Sequence, residues 1–141
     1  MANQTFTDLF QMADKDLEQA NEELYRPAED VVTYSVCVYS RRALHNFLKC
    51  LYMLYADENG DTVKEQPTID EMITYCGRYN DHLKSIDFSS LDCKCQEDIH
   101  KNQKEPYYCN DVDKVDYCRT LAEDVRELVV KKGGDLIPEG A

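Results

Sequence analysis

Two arginine–histidine pairs stand four residues apart in this chain, Arg41 with His45 and Arg78 with His82. Side chains at i and i+4 share a helix face. A histidine can move a 2′-hydroxyl or leaving-group proton, and an arginine can hold phosphate charge in the transition state. Each pair therefore reads either as a divergent phosphate site or as a polar stripe on a helix, and such stripes are common. A second constellation is Cys93, Cys95, His100 and Cys109, with Cys118 near it in sequence. Four such ligands suit a tetrahedral zinc ion, but the Cys-x-Cys step is tighter than the usual ligand spacing. The expectation is no metal, with Cys95 on an apolar face and Cys93 and Cys109 as loop thiols. No cofactor is implied. The chain has no phosphate-binding glycine loop, dinucleotide fingerprint or Ser-centred nucleophile motif. Asp57, Asn59 and Asp61 fail as a calcium loop, because Gly60 is misplaced and the twelfth position is Thr68.

The elements that position these residues are helical. Val31 to Tyr55 contains no proline or glycine. Cys37, Leu44, Leu48, Leu51 and Tyr55 form one row at helical spacing, and Val36, Ala43, Phe47, Cys50 and Leu54 form another. A helix so broadly apolar has to be enclosed by several neighbours. Before it, Phe6, Leu9, Phe10, Ala13, Leu17, Ala20 and Leu24 make a single stripe, with Thr5 and Asp8 at its start. Pro27 separates the two helices. An Asn-Gly turn follows at Asn59-Gly60, and Thr68 with Glu71 forms a capping pair for a third helix through Ile69, Met72, Ile73, Cys76, Tyr79 and Leu83. Leu91, Cys95 and Ile99 suggest one short helix capped by Ser89 or Ser90. Asp111 caps a last helix carrying Val115, Cys118, Leu121, Ala122, Val125, Leu128 and Val129, closed by Lys131, Lys132 and Gly133-Gly134. The expected fold is all-α: an up-down four-helix bundle, with helices near 6–25, 27–55, 68–85 and 111–132 and one short extra helix between the last two.

The chain has 141 residues, which suits one domain, with a core at 6–132 and a tail at 133–141. Its net charge of −12 repels phosphate backbones and suits a basic protein partner. Nucleic acid is therefore not an expected ligand without a basic partner. Arg41, Arg42, His45, Asn46 and Lys49 interrupt the second helix, so it is not a membrane span. The start of the chain lacks the pattern of an export signal, and the seven cysteines then read as reduced thiols in a cytoplasmic protein. Ten tyrosines against no tryptophan favour an interface, where the ring is buried and the hydroxyl finds a partner. Tyr34, Tyr39, Tyr52 and Tyr55 are the interface candidates, in a homodimer that covers part of the second helix. Replacing Tyr52 by a charged residue is then expected to weaken association more than it disturbs helix content.

The segment Arg41-Arg42-Ala43-Leu44-His45-Asn46-Phe47-Leu48-Lys49-Cys50-Leu51 resembles the signature of HEPN domains. It has a small residue, Ala43, then a polar pair, His45-Asn46, then the step Leu48-Lys49-Cys50-Leu51. The helix start at Gln66-Pro67-Thr68 and the Tyr-rich turn Pro106-Tyr107-Tyr108-Cys109 before the last helix extend the similarity over residues 6–132. The resemblance implies a helical bundle, commonly dimeric. Some members are metal-independent ribonucleases; others pair with small nucleotidyltransferases in toxin–antitoxin operons or bind nucleotides. The ribonuclease members place an arginine, four to six intervening residues and then a histidine near the start of the last helix. Here three residues separate Arg41 from His45 and Arg78 from His82, two separate Arg42 from His45, and neither Arg119 nor Arg126 has a histidine after it. The resemblance thus implies a non-catalytic binding or interaction module. The rivals are a divergent ribonuclease using Arg41, His45, Arg78 or His82, and an unrelated structural bundle.

Overall fold

The computed structural model describes residues 2–25, 33–86, 88, 112–134 and 137, with side chains from residues 6, 36 and 116 onward in the three long helices. The expected short helix at Leu91–Ile99, the Asp111 cap and the segment around Pro27 lie outside the described residues. What is described is an all-α bundle, with no strand among those residues: α1 Ala2–Leu24, α2 Thr33–Asn59, α3 Ile69–Gly77, α4 Asp81–Ser85 and α5 Val112–Gly133.

α2 occupies the centre and touches α1, α3 and α5. Both of its apolar rows are spent inside the chain. Val36, Ala43, Phe47 and Cys50 are fully buried, and so are Leu44, Leu48 and Leu51. Each fully buried side chain of this size contributes roughly 1.5–3 kcal/mol over its exposed state. The α1 stripe meets it through Phe6, Phe10, Ala13 and Leu17 in the same cluster. Phe10 and Phe47 sit edge to face at 5.5 Å, and the Cys50 thiol points to the Phe6 carbonyl at 3.8 Å.

Contact pairs fix the directions. Phe6 and Phe10 lie level with Cys50 and Phe47, so α1 and α2 are antiparallel. Asp14 meets Arg126 at 2.6 Å and Asn21 meets Arg119 at 3.3 Å, so α5 is antiparallel to α1 and parallel to α2. Residues 60–68 fold back along α2. The Lys64 amide donates to the Tyr52 hydroxyl at 3.0 Å, and the Pro67 carbonyl reaches His45 at 3.3 Å. α3 then climbs α2 in the same direction as α2 itself, with Tyr75 level with Tyr52 and Asn80 level with Tyr55.

Three points differ from the sequence expectation. α1 begins at Ala2, so Thr5 and Asp8 lie inside it and not at its start. α2 runs on to Asn59, past Tyr55, because Ala56 is still buried against the core. It stops where Gly60 takes φ +72°, and the Gly60 and Asp61 amides bond back to the Asp57 and Ala56 carbonyls. That double return is the usual close of a helix at glycine. The third helix is not continuous over 68–85. Thr68 and Glu71 form the expected capping box at its start. Asn80 then leaves the helical region at φ −134°, and its side chain accepts from the Leu83 amide at 2.9 Å, which begins α4.

Three cations latch the long helices together. Arg42 of α2 pairs with Asp16 of α1 at 2.9 Å and lies over the Tyr39 ring. Arg126 of α5 pairs with Asp14 of α1 and lies over Phe10. Lys132 of α5 pairs with Glu58 of α2 and lies over Tyr55. Each seam thus holds one positive group between a ring face and a carboxylate, which is favourable on both sides.

Candidate functional site

The arginine–histidine pairs are where the sequence put the chemistry, and the structure gives them separate surroundings. His45 is half-buried on α2, its Nε2 3.3 Å from the Pro67 carbonyl. In the tautomer with Nε2 protonated, that nitrogen donates and pins the returning loop to α2. Arg41, one turn earlier, is half-buried as well. Arg78 and His82 are both exposed, but they do not share a helix. Arg78 follows α3 and His82 lies in α4, with the Asn80 break between them. His82 exerts its charge on Asp124 of α5 and lowers that carboxyl's pKa; burial and then Glu127 act more strongly the other way, and the net shift is upward.

The remaining cysteine expectations divide. Cys37, Cys50, Cys76 and Cys118 are buried, as small core residues are. Burial pushes both Cys50 and Cys76 up to about 12, which keeps them as unreactive thiols. Cys93, Cys95, His100 and Cys109 lie outside the described residues. Among the described residues no three His, Cys, Asp or Glu side chains group to hold a metal ion. No helix there is long and apolar enough to cross a membrane.

The tyrosines are distributed differently from the interface expectation. Tyr52 and Tyr55 turn inward, 9% and 6% exposed. Their hydroxyls are bonded within the chain, Tyr52 to the Lys64 amide and Tyr55 to the Asn80 side chain at 3.1 Å. Tyr39 is half-buried under Arg42, and Tyr34 lies outside the described side chains. The enclosure of α2 that argued for a second copy is supplied by α1, α3 and α5 of the same chain.

What the sequence did not show is a ladder of four tyrosine rings. Tyr52 meets Tyr75 at 5.0 Å, Tyr75 meets Tyr79 at 5.5 Å, and Tyr79 stacks on Tyr55 at 5.6 Å. Such offset and edge contacts favour aromatic pairs beyond their buried area. Tyr75 donates to Asp61 at 2.5 Å; its burial, then that carboxylate, push its hydroxyl up to about 12. The most exposed ring of the ladder is Tyr79, 47% exposed beside the exposed Arg78. The i,i+4 spacing of Tyr75 and Tyr79 was the available signal, but it does not reveal that Tyr52 and Tyr55 would complete the stack.

Two of the surface clefts lie beside these side chains and along the α1–α5 seam. One, of about 410 Å³, opens beside the ladder between Tyr52, Asp70, Glu71, Thr74, Tyr75 and Arg78. The Lys64 ammonium and the Thr68 amide hold Glu71 down to about 2 there. The other, of about 340 Å³, follows the α1–α5 seam between Asp14, Glu18, Asn21, Glu123 and Arg126. Neither has a histidine in its wall. Comparison with protein-family models, with curated proteins and with solved structures gives no match to this chain.

Proposed function

We propose that this chain is a HEPN-like binding module, a helical domain that works by contact with a partner and does not cut RNA. The observation that carries the reading is the employment of the two described histidines. His45 is engaged by the Pro67 carbonyl, and His82 is exposed on α4, across a helix break from Arg78. General acid–base work on a phosphodiester needs a histidine and a cation within reach of one reacting atom. Arg78 and His82 stand on separate pieces of the scaffold, and His45, one turn from Arg41 on α2, has its Nε2 held by the Pro67 carbonyl. Two exposed side chains between α3 and α4, Tyr79 and Arg78, are of the types that dominate binding energy at protein interfaces. The partner class suggested by the resemblance is a small nucleotidyltransferase, a second copy of the chain, or a nucleotide-bearing protein.

The test is incubation of the full chain with single-stranded and duplex RNA, beside His45→Ala and His82→Ala. The expected result is no cleavage above the buffer control for any of the three proteins. Cleavage by the wild type that either substitution abolishes would replace this reading with that of a divergent ribonuclease. Where a small nucleotidyltransferase is encoded beside this chain, co-expression is expected to give a complex that survives gel filtration.

A further inference from the structure

We propose that the tyrosine ladder is a redox relay, in which a one-electron oxidation begun at the exposed Tyr79 ring passes to Tyr75 while the Tyr75 proton passes to Asp61. The relay goes beyond contact with a partner and does not depend on what the module binds. A phenol that loses an electron becomes a strong acid, so tyrosine is oxidised most readily where a base can take its hydroxyl proton. The four rings differ in this respect. Tyr52 accepts from the Lys64 amide at 3.0 Å, and Tyr55 accepts from the Asn80 side chain at 3.1 Å. Those bonds bring donors to the oxygen and offer its proton no destination. The Lys132 ammonium also lies 4.9 Å from the Tyr55 ring centre, and a positive charge there opposes the loss of an electron. Tyr75 is the ring that donates to a carboxylate, Asp61 at 2.5 Å. Its burial, then that carboxylate, keep the hydroxyl protonated at ordinary pH, so a proton is there to be moved.

Tyr79 is 47% exposed, which opens it to a one-electron oxidant in solution. Its ring centre is 5.5 Å from that of Tyr75, within the range of direct ring contact. The first step takes one electron from Tyr79 to the oxidant and the Tyr79 hydroxyl proton to water. In the second step an electron moves from Tyr75 to the Tyr79 radical, and Tyr79 regains a proton from water. The Tyr75 proton crosses its hydrogen bond to the Asp61 carboxylate as the electron leaves. Tyr79 is restored, and a neutral radical sits on Tyr75, which is half-buried. Coupling to a phenol in solution needs an exposed ring, so the radical on Tyr75 outlasts one on Tyr79.

The test is flash photolysis of a ruthenium polypyridyl complex, with a cobalt(III) ammine as electron acceptor, in the presence of the full chain and added tyramide. Tyramide couples covalently to exposed tyrosyl radicals, and cleavage after Arg78 puts Tyr75 and Tyr79 on separate peptides for mass spectrometry. Tyr75→Phe and Asp61→Asn should each raise the label on Tyr79 several-fold over the wild type. Each should also shorten the life of the tyrosyl signal in electron paramagnetic resonance. Tyr79→Phe should lower the yield of the lasting signal, because its point of entry is gone. Tyr25, 88% exposed just beyond α1, is the reference and should be labelled equally in every protein. Asp61 is exposed and Asn matches it in size, so helix content by circular dichroism should be unchanged. Equal labelling of Tyr79 in the wild type and in Tyr75→Phe overturns the relay. A rise in Tyr75→Phe that Asp61→Asn does not share overturns it too, as does a lasting signal undiminished in Tyr79→Phe.

Discussion

Tyr52 shows how little a residue's type says about its destination. A tyrosine on a helix that is apolar nearly all round suits an interface, because its ring wants burial and its hydroxyl wants a partner. Both wants are met inside the chain, by Tyr75 at 5.0 Å and by the Lys64 amide at 3.0 Å. Nothing near Tyr52 in sequence announces that residues 61–64 will fold back over it. The consequence reverses the expectation drawn from spacing alone. Tyr52→Glu should unfold the protein before it changes association, because it places a charge at a position 9% exposed and leaves the Lys64 amide without its acceptor. A loss of about 3 kcal/mol or more is expected from denaturant unfolding. A variant as stable as the wild type that merely fails to associate would return Tyr52 to the interface.

Glu71 gives a second residue whose role can be read through pH. It closes the capping box with Thr68 and takes the Lys64 ammonium at 2.5 Å, and its carboxyl is held down to about 2 from an ordinary 4.5. A carboxyl depressed on folding adds stability that is present above its unfolded pKa and is lost as pH falls through the folded value. The stability gap between wild type and Glu71→Ala should therefore be constant at neutral pH and close between about 4.5 and 2. Thermal unfolding of both proteins across that range checks it. A gap that survives to the bottom of the range would mean that Glu71 acts through packing and not through charge.

At the scale of elements, the three cation latches divide the work of orientation from that of burial. The apolar stripes of α1 and α2 bring those helices together with no charge involved. The α1–α5 seam is different, since these helices touch each other far less than either touches α2 and leave a cleft between them. The register of that seam is carried by Asp14–Arg126 and Asn21–Arg119, seven residues apart on each helix. Partly exposed pairs of this kind are modest in energy. A double-mutant cycle on Asp14→Ala and Arg126→Ala should give a coupling of about 0.5–1 kcal/mol that shrinks in high salt. Coupling near zero would mean that Arg126 contributes only through its contact with the Phe10 ring.

The elements also mark where sequence reading stops. The α1 stripe and the two rows of α2 were legible because their periodicity is unbroken and the partner is simply the remaining core. The split of the third helix was not. Tyr79 and Leu83 continue the helical spacing of Cys76, so the apolar pattern runs straight through the break. What breaks it is Asn80, whose side chain does better capping Leu83 and bonding Tyr55 than facing outward from a helix. An Asn-Asp step three residues ahead of a buried leucine is a capping signal, and it is outvoted when periodicity alone is followed. The same break separates Arg78 from His82, so the error in the element became an error in the candidate site.

For the whole molecule, charge and enclosure give one account. The chain is acidic overall, its central helix is covered by its own neighbours, and its two described histidines lie on different helices. Among the described residues Tyr79 and Arg78 are exposed between α3 and α4, Met12 on α1 and Tyr25 just beyond its end. Amide hydrogen exchange, followed by mass spectrometry over a concentration series of the full chain, tests the enclosure of α2 most directly. The account predicts that α2 exchanges slowly already at the lowest concentration and gains no protection as the concentration rises. Protection gained with concentration along the Tyr39–Tyr55 face of α2 would contradict it.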